Sequence, residues 1–347
     1  MKRQVQVGRI PIGGEAPVSI QSMTNTNTTD VVATVSQILA LEKAGCDIVR
    51  VAVPDETAAA AVYDIKKEIH IPLVCDIHFD YRLAISAMEH GADKIRINPG
   101  NIGDETRVKA VVDAATAGNI PIRVGVNSGS LEKDLVAKYG GVTAEALVES
   151  VLKQVALLEK LEFHNMVISL KSSSVPMNTA AYRLIHEKTE YPLHIGVTEA
   201  GTPSNSIIKS SVGLGALLLE GIGDTMRVSM TGDPVDEVIA AKKILAACGL
   251  RKEPIEIIAC PTCGRTKVEL LSIVDKVEKA VAGLTPKKKL QVAIMGCAVN
   301  GPGEAKEADI GVACGPGKGL LFRQGEIVKR VPEEDIVSSL VAMIKEQ

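Results

Sequence analysis

Two cysteines separated by two residues, Cys260-Pro-Thr-Cys263, are followed well downstream by a third in Met295-Gly-Cys297-Ala-Val-Asn-Gly-Pro-Gly-Glu304. A Cys-x-x-Cys pair between a strand and a helix binds metal or works as a redox dithiol, and a dithiol needs no third cysteine. Zinc usually draws a second close pair of Cys or His, and the segment after residue 254 has no histidine at all, which weakens a zinc reading. An iron–sulfur cluster accepts thiolates that converge from separate loops, and the glycines and proline after Cys297 let backbone N–H groups approach sulfide. A helix opening after Cys263 would point its positive end toward such a cluster. For a cubane the fourth ligand is either Cys314, a thiolate as usual, or Glu304, a hard and weakly held carboxylate that leaves an iron exchangeable.

A second set of reactive residues lies earlier in the chain. Asp47-Ile-Val-Arg50, Asp93-Lys-Ile-Arg96 and Asp224-Thr-Met-Arg227 each follow closely on a glycine and each start an apolar run. Arg123 in Ile122-Arg-Val-Gly-Val-Asn127 and Lys171 in Ile168-Ser-Leu-Lys171 bring the number of such cation-bearing runs to five. A single buried cation pairs with a carboxylate on a neighbouring strand, because burying it alone is expensive. Five together, near strand ends, suit an anion with many oxygens, most simply a phosphate or diphosphate held in guanidinium forks. Asn127, Thr198 and Ser229 add polar strand ends, and Glu199 stands among them as the acid/base candidate, with an ion-pair role as the alternative. Asp76 and His78 share a strand face by their spacing of two and read as a supporting pair. Cys46, Cys75 and Cys248 sit in apolar surroundings as core thiols.

These residues need a scaffold that gathers strand ends. Eight apolar, β-branched runs predict strands at Val18–Met23, Asp47–Val53, Leu73–Phe79, Lys94–Asn98, Ile122–Asn127, Met166–Lys171, Leu193–Thr198 and Thr225–Met230. A helix-period segment follows each, ending with Val235–Ala247. Eight strands each followed by a helix predict an α/β fold with an N-terminal (β/α)8 TIM-like barrel over residues 1–250; an open doubly wound sheet is the alternative, less favoured because the count closes at eight. Beyond the polar, proline-ended Leu250–Pro254 the order changes to strand Ile255–Ala259, helix Lys267–Val281, strands Leu290–Met295, Asp309–Ala313, Gly319–Phe322 and Ile327–Val331, and helix Glu333–Lys345. That predicts a small α+β domain of its own over residues 254–347, the one that carries Cys260, Cys263 and Cys297.

Composition sets outer bounds. The chain has 347 residues, 46% of them hydrophobic, a formal net charge of −3, no Trp and only three Phe. Neither a basic excess nor stacking aromatics favour nucleic acid. The N-terminus lacks the apolar stretch of a signal peptide and the apolar runs are too short to span a bilayer, so a soluble cytoplasmic protein is expected.

The motifs Ser19-Ile-Gln-Ser-Met-Thr-Asn25, Cys260-Pro-Thr-Cys-Gly-Arg265 and Met295-Gly-Cys-Ala-Val-Asn-Gly-Pro-Gly-Glu-Ala305 together resemble the hydroxymethylbutenyl diphosphate synthase (IspG/GcpE) family of the methylerythritol phosphate route to isoprenoids, in its two-domain bacterial form and over essentially the whole chain. The resemblance implies a [4Fe–4S] cluster on Cys260, Cys263, Cys297 and Glu304, whose unique iron takes a substrate oxygen. It implies reduction of methylerythritol cyclodiphosphate by two electrons, delivered singly by ferredoxin or flavodoxin, to hydroxymethylbutenyl diphosphate. Carried over position by position, Arg50, Arg96, Arg123, Asn127, Lys171, Thr198, Arg227 and Ser229 match the diphosphate-binding set. Glu199 matches a carboxylate placed for proton delivery. A head-to-tail homodimer is also implied. The family usually has glycine where this chain has Cys314, which here reads as a small residue accepted in a tight turn. Two other readings stand beside this one: a cofactor-independent barrel enzyme with a zinc-held tail, and an iron–sulfur electron carrier whose barrel is a docking scaffold.

Overall fold

A computed structural model describes residues 2–284, 286–297 and 307–347. It divides into two compact units, Met1–Arg251 and Lys252–Gln347.

The first unit opens with a hairpin, β1 (Gln4–Val7) and β2 (Ile10–Gly13), joined by the two-residue turn Gly8-Arg9. Gly8 has φ +53°, the positive value that a tight hairpin turn wants at its first central position. Eight parallel strands follow: β3 (Ser19–Met23), β4 (Ile48–Ala52), β5 (Leu73–Asp76), β6 (Lys94–Ile97), β7 (Ile122–Asn127), β8 (Met166–Lys171), β9 (His194–Gly196) and β10 (Thr225–Arg227). Their hydrogen-bonded order is β8-β7-β6-β5-β4-β3-β10-β9, and an Ile168–Leu193 bridge joins the two ends, so the sheet closes as a barrel. Helices α1 (Val31–Ala44), α2 (Glu56–Glu68), α3 (Tyr81–Glu89), α4 (Pro99–Ile102), α5 (Glu105–Ala117), α6 (Lys133–Tyr139), α7 (Ala144–Lys160), α8 (Val175–Lys188), α9 (Pro203–Leu219) and α10 (Pro234–Ala247) lie in the connections.

The period of two explains how one strand serves two environments. Val49, Val51, Leu73, Cys75, Ile95, Ile97, Ile122, Val124, Ile168 and Leu170 face the helices in one apolar core. Their alternates point inward. At the amino ends these are Ile48, Val74 and Val167, which pack against Val5, Val7 and Ile12 of the hairpin, so that the hairpin forms an apolar floor. Short connections suffice because most barrel helices carry their own start signal. The side chains of Asp30, Asp55, Asp80, Asp104, Thr143, Ser174 and Asp233 each accept a backbone N–H of the first helical turn, each worth about 1 kcal/mol.

The repeated Asp-x-x-Arg strands prove to be a joint. Asp47, Asp93 and Asp224, just ahead of their strands, accept the backbone N–H of Ile20, Leu73 and Leu193 on the neighbouring strand at 2.7–2.8 Å. The aspartate thus pins two strands side by side, leaving the arginine three residues on to reach the other end. Asp309 does the same for Gln291 in the second unit.

The second unit is a five-stranded sheet of β11 (Ile255–Ala259), β12 (Leu290–Met295), β13 (Ile310–Gly315), β14 (Lys318–Arg323) and β15 (Glu326–Pro332). The first three strands run parallel and the last three antiparallel. Helices α11 (Leu270–Val281) and α12 (Ile336–Lys345) cover one face. On the other, Phe322 lies over Gly311, where a Cβ would collide with the ring.

Three sequence expectations need correction. The helix after Cys263 starts at Leu270, not Lys267, so residues 264–269 stand between that cysteine and the helix's positive end. Cys314 is not in a turn; it lies inside β13, wholly buried. Cys248 caps the end of α10 and is only partly buried, packed against the edge of the core, whereas Cys46 and Cys75 are buried within it.

Candidate active site and cluster ligands

The inward positions of the barrel carry six cations. Arg50 comes from β4, Lys94 and Arg96 from β6, Arg123 from β7, Lys171 from β8 and Arg227 from β10. Lys94 and Arg123 are at most 1% exposed, and Arg96 and Lys171 are buried at 8%. Among the described residues two carboxylates reach this group. Asp76, at the end of β5, lies 3.0 Å from Arg96, 3.8 Å from Arg50 and 3.4 Å from His78. Glu237, in the first turn of α10, takes Arg227 in a two-bonded fork at 3.0 and 2.9 Å. Positive charge is therefore in excess. Lys94 Nζ, Arg96 Nε, and Arg123 Nε and Nη1 have no hydrogen-bond partner among the described residues.

The electrostatics register the crowding. Burial, reinforced by Arg227 and Arg96 and opposed by Asp76, pulls Arg50 down to about 10. Burial followed by the neighbouring arginines drives Lys94, Arg123 and Lys171 well below their ordinary values. Burial alone would raise Asp76, but Arg50 foremost, then His78, Arg96 and Arg123, hold it far below the usual carboxylate range. His194, inward on β9 with Nε2 3.4 Å from Lys171 Nζ, is held neutral by burial and by Arg123, Lys171, Lys94 and Arg50.

Two glycines make room for these side chains. A Cβ on Gly196 would stand 2.8 Å from Lys171 Nζ and 3.0 Å from the Arg227 carbonyl. A Cβ on Gly125 would stand 3.1 Å from Arg96 Nε and 3.0 Å from Ser169 Oγ. Met23, inward on β3, fills the gap between two arginines: its sulfur lies 2.9 and 3.1 Å from Arg50 nitrogens and 3.5 Å from Arg227 Nη1.

The polar residues expected at strand ends sit on the same rim. Asn127 ends β7, Thr198 and Glu199 follow β9, and Ser229 follows β10. Glu199 is exposed and has φ +51°, in the left-handed region that a non-glycine residue enters only when its surroundings force it. The sequence reading did not identify Lys94, Met23, His194 or Glu237. Lys94 shares the parity of Arg96 and was available on that ground; nothing in the sequence marks Glu237, which comes from a helix.

In the second unit Cys260 follows β11 and Cys297 follows β12, at the carboxyl ends of adjacent parallel strands, and Cys263 is exposed in the loop beyond Cys260. The Gly296 N–H donates to Cys260 Sγ at 3.1 Å. Hydrogen bonds from Arg265, backbone first and then side chain, lower the Cys263 thiol below its ordinary value. Among the described residues no three of His, Cys, Asp and Glu already stand in metal-binding range. Glu304 lies outside the described residues. Cys314 packs with the α11 and α12 core, and burial, with Glu333 and Cys260 adding, pushes its thiol up to about 12.

Comparison with solved structures recovers the barrel. A spore coat polysaccharide biosynthesis protein from Bacillus subtilis superposes with a TM-score of 0.51 at 13% identity, covering 72% of this chain and 75% of its own. A phospho-2-dehydro-3-deoxyheptonate aldolase from Thermotoga maritima gives 0.50 at 12%, with the same coverage. These likenesses show the fold alone. Curated sequences are far nearer. A protein named 4-hydroxy-3-methylbut-2-en-1-yl diphosphate synthase (flavodoxin) from Caldanaerobacter subterraneus is 57% identical over 100% of this chain and 98% of its own. One of the same name from Clostridium perfringens is 59% identical over 99% and 98%. The GcpE TIM-barrel domain matches residues 2–242, and the GcpE protein C-terminal domain matches residues 256–346. With barrel and tail matched in order, and relatives aligned from end to end, this chain belongs to the GcpE family.

Proposed function

We infer that this chain catalyses the reaction of its named relatives: reductive opening and dehydration of 2-C-methyl-D-erythritol 2,4-cyclodiphosphate to 4-hydroxy-3-methylbut-2-enyl diphosphate, with a flavodoxin or ferredoxin as electron donor. The observation that carries this reading is the inward excess of cations, six against two carboxylates. A dianionic diphosphate supplies what the barrel lacks.

Arg50, Arg96, Arg123, Lys171 and Arg227 hold the two phosphoryl groups, with Asn127, Thr198 and Ser229 completing the hydrogen bonds. The positive charge of this cation cluster also neutralises the oxygen that is released as the ring opens. The apolar floor beneath Ile48, Val74 and Val167 keeps water from entering at the amino end. Glu199 stands at the rim, where a carboxyl can deliver a proton to the departing hydroxyl without being buried in the cationic interior.

The tail suits a soft, anionic cofactor. Its donors are thiolates at adjacent strand ends, with a backbone N–H already aimed at one sulfur. Cys260, Cys263, Cys297 and Glu304 would hold a [4Fe–4S] cluster, which supplies single electrons and a Lewis-acidic iron when bound. Burial of Cys314 among α11 and α12 favours Glu304 over it as fourth ligand.

Two further features belong to this reading. Among the described residues no helix is long and apolar enough to cross a membrane, in keeping with work in the cytoplasm. A homodimer is in keeping with the exposed apolar residues on α1, α9 and α10, among them Val32, Ile207, Ile208, Val212, Leu219 and Ile239, and its head-to-tail arrangement is what the family resemblance implies. The test is an anaerobic assay of cluster-loaded protein with the cyclodiphosphate and reduced flavodoxin. Formation of hydroxymethylbutenyl diphosphate is expected, and its absence overturns the assignment.

A further inference from the structure

Among the described residues, Arg227 is the barrel cation held along a whole edge, by Glu237. Glu237 is 3% exposed and takes four hydrogen bonds. Oε2 accepts from Arg227 Nε at 3.0 Å and Ser22 Oγ at 2.9 Å; Oε1 accepts from Arg227 Nη2 at 2.9 Å and the Met230 N–H at 3.2 Å. One carboxylate thus ties together β3, β10 and the loop that follows β10, and its acceptor capacity is filled. The opposite edge of the same guanidinium is treated differently. Among the described residues Nη1 has only the Met23 sulfur as a hydrogen-bond partner, at 3.5 Å, and that sulfur also lies 2.9 Å from Arg50 Nη2. A thioether is a weak acceptor, easily exchanged for phosphate oxygen.

The geometry points to Glu237 as the positioning residue of the anion site: it grips Arg227 by the Nε–Nη2 edge so that the Nη1 edge faces Arg50, and the two guanidiniums close on one phosphoryl group in place of the Met23 sulfur. This rests on reading the cationic ring as a diphosphate site. Glu237 acts through Arg227 and touches no substrate itself. Glutamine in its place keeps the shape but turns donor hydrogens toward groups that already donate, so the fork opens. Arg227 then rotates among orientations of which few face the ligand.

A double-mutant cycle tests it, using calorimetric titration of the full-length, cluster-loaded protein with inorganic diphosphate. Glu237→Gln is expected to weaken binding about tenfold, and less than twofold when Arg227→Ala is already present. Equal losses in the two backgrounds would mean that Glu237 merely holds the fold. No binding to the unmodified protein would remove the anion site itself. Either result overturns the proposal. A second measurement needs no variant. In protein labelled with 15N-arginine, the Arg227 Nε–H should stay protected from exchange when diphosphate binds, and loss of protection on binding also overturns the proposal. If the cycle behaves as expected while the cyclodiphosphate is not turned over, the proposed reaction fails and the role of Glu237 stands.

Discussion

Substrate binding should draw a proton into the barrel. Lys171 is buried, faces His194 across 3.4 Å, and is surrounded by Arg123, Arg50, Arg227 and Arg96; burial first and these charges next push its ammonium well below the ordinary lysine value. A bound dianion reverses that balance, because the attraction of two phosphoryl groups offsets repulsion from the arginines. The complex then binds the Lys171 proton more tightly than the free protein does. For a cationic group whose value rises on binding, affinity is fully present at low pH and falls as pH climbs through the value in the complex, by up to about tenfold per unit. Net uptake should be positive, with Lys94 and Arg123, held low by the same burial, adding to that of Lys171. The cyclodiphosphate suits the measurement, since each phosphorus carries a single acidic hydroxyl ionised far below neutral pH and the ligand adds no proton of its own. Calorimetric titration without reductant, repeated at one pH in buffers of different ionisation enthalpy, gives the number as a slope. Lys171→Met should bind more weakly and flatten the slope. Zero uptake by the unmodified protein from neutral to alkaline pH, or proton release, would refute the reasoning.

Other outcomes follow from packing and burial. Gly196→Ala puts a Cβ 3.0 Å from the Arg227 carbonyl, which cannot swing aside, and 2.8 Å from Lys171 Nζ, which can; the barrel should lose about 1–3 kcal/mol in denaturant titration and bind diphosphate more weakly. Ile12 is wholly buried in the floor, so Ile12→Ala should cost about 3 kcal/mol in the same titration while the rim's affinity for diphosphate is unchanged. His194 is neutral when folded and titrates at its ordinary value when unfolded, so its contribution is complete above about pH 6.5 and is lost at about 1.4 kcal/mol per unit below it, readable as a falling thermal midpoint. Cys314→Ala should retain the visible absorption of the cluster, whereas Cys260→Ser should lose it.

The barrel was legible because its strands are buried on both sides of a simple code: β-branched residues outward in Val49, Val51, Ile95 and Ile97, polar ones inward at alternate positions. Cations inside apolar runs announced the site for the same reason. What stayed hidden depends on distance along the chain. The hairpin Gln4–Gly13 is eight strand residues broken by glycine and proline, and it is fixed by Ile48, Val74 and Val167 far downstream. Glu237 looks like any acidic residue in a first helical turn, where it is favoured by the helix dipole alone; its partner Arg227 is ten residues away on another element. Cys314 was misplaced because Gly315-Pro-Gly317 reads as a loop that reaches back to it, whereas β13 extends to Gly315 by pairing with Lys318.

The hairpin under Ile48, Val74 and Val167 has a consequence for traffic. A vessel stoppered at one end has a single doorway, so incoming substrate, outgoing product, the released water and every proton must share the carboxyl rim. Nothing can be pushed through; product has to back out before the next molecule enters. Whatever covers that rim during turnover must therefore uncover it once per cycle, and a tightly held product becomes its own inhibitor. A hole cut in the floor would give water a second way in without touching one residue that binds the diphosphate.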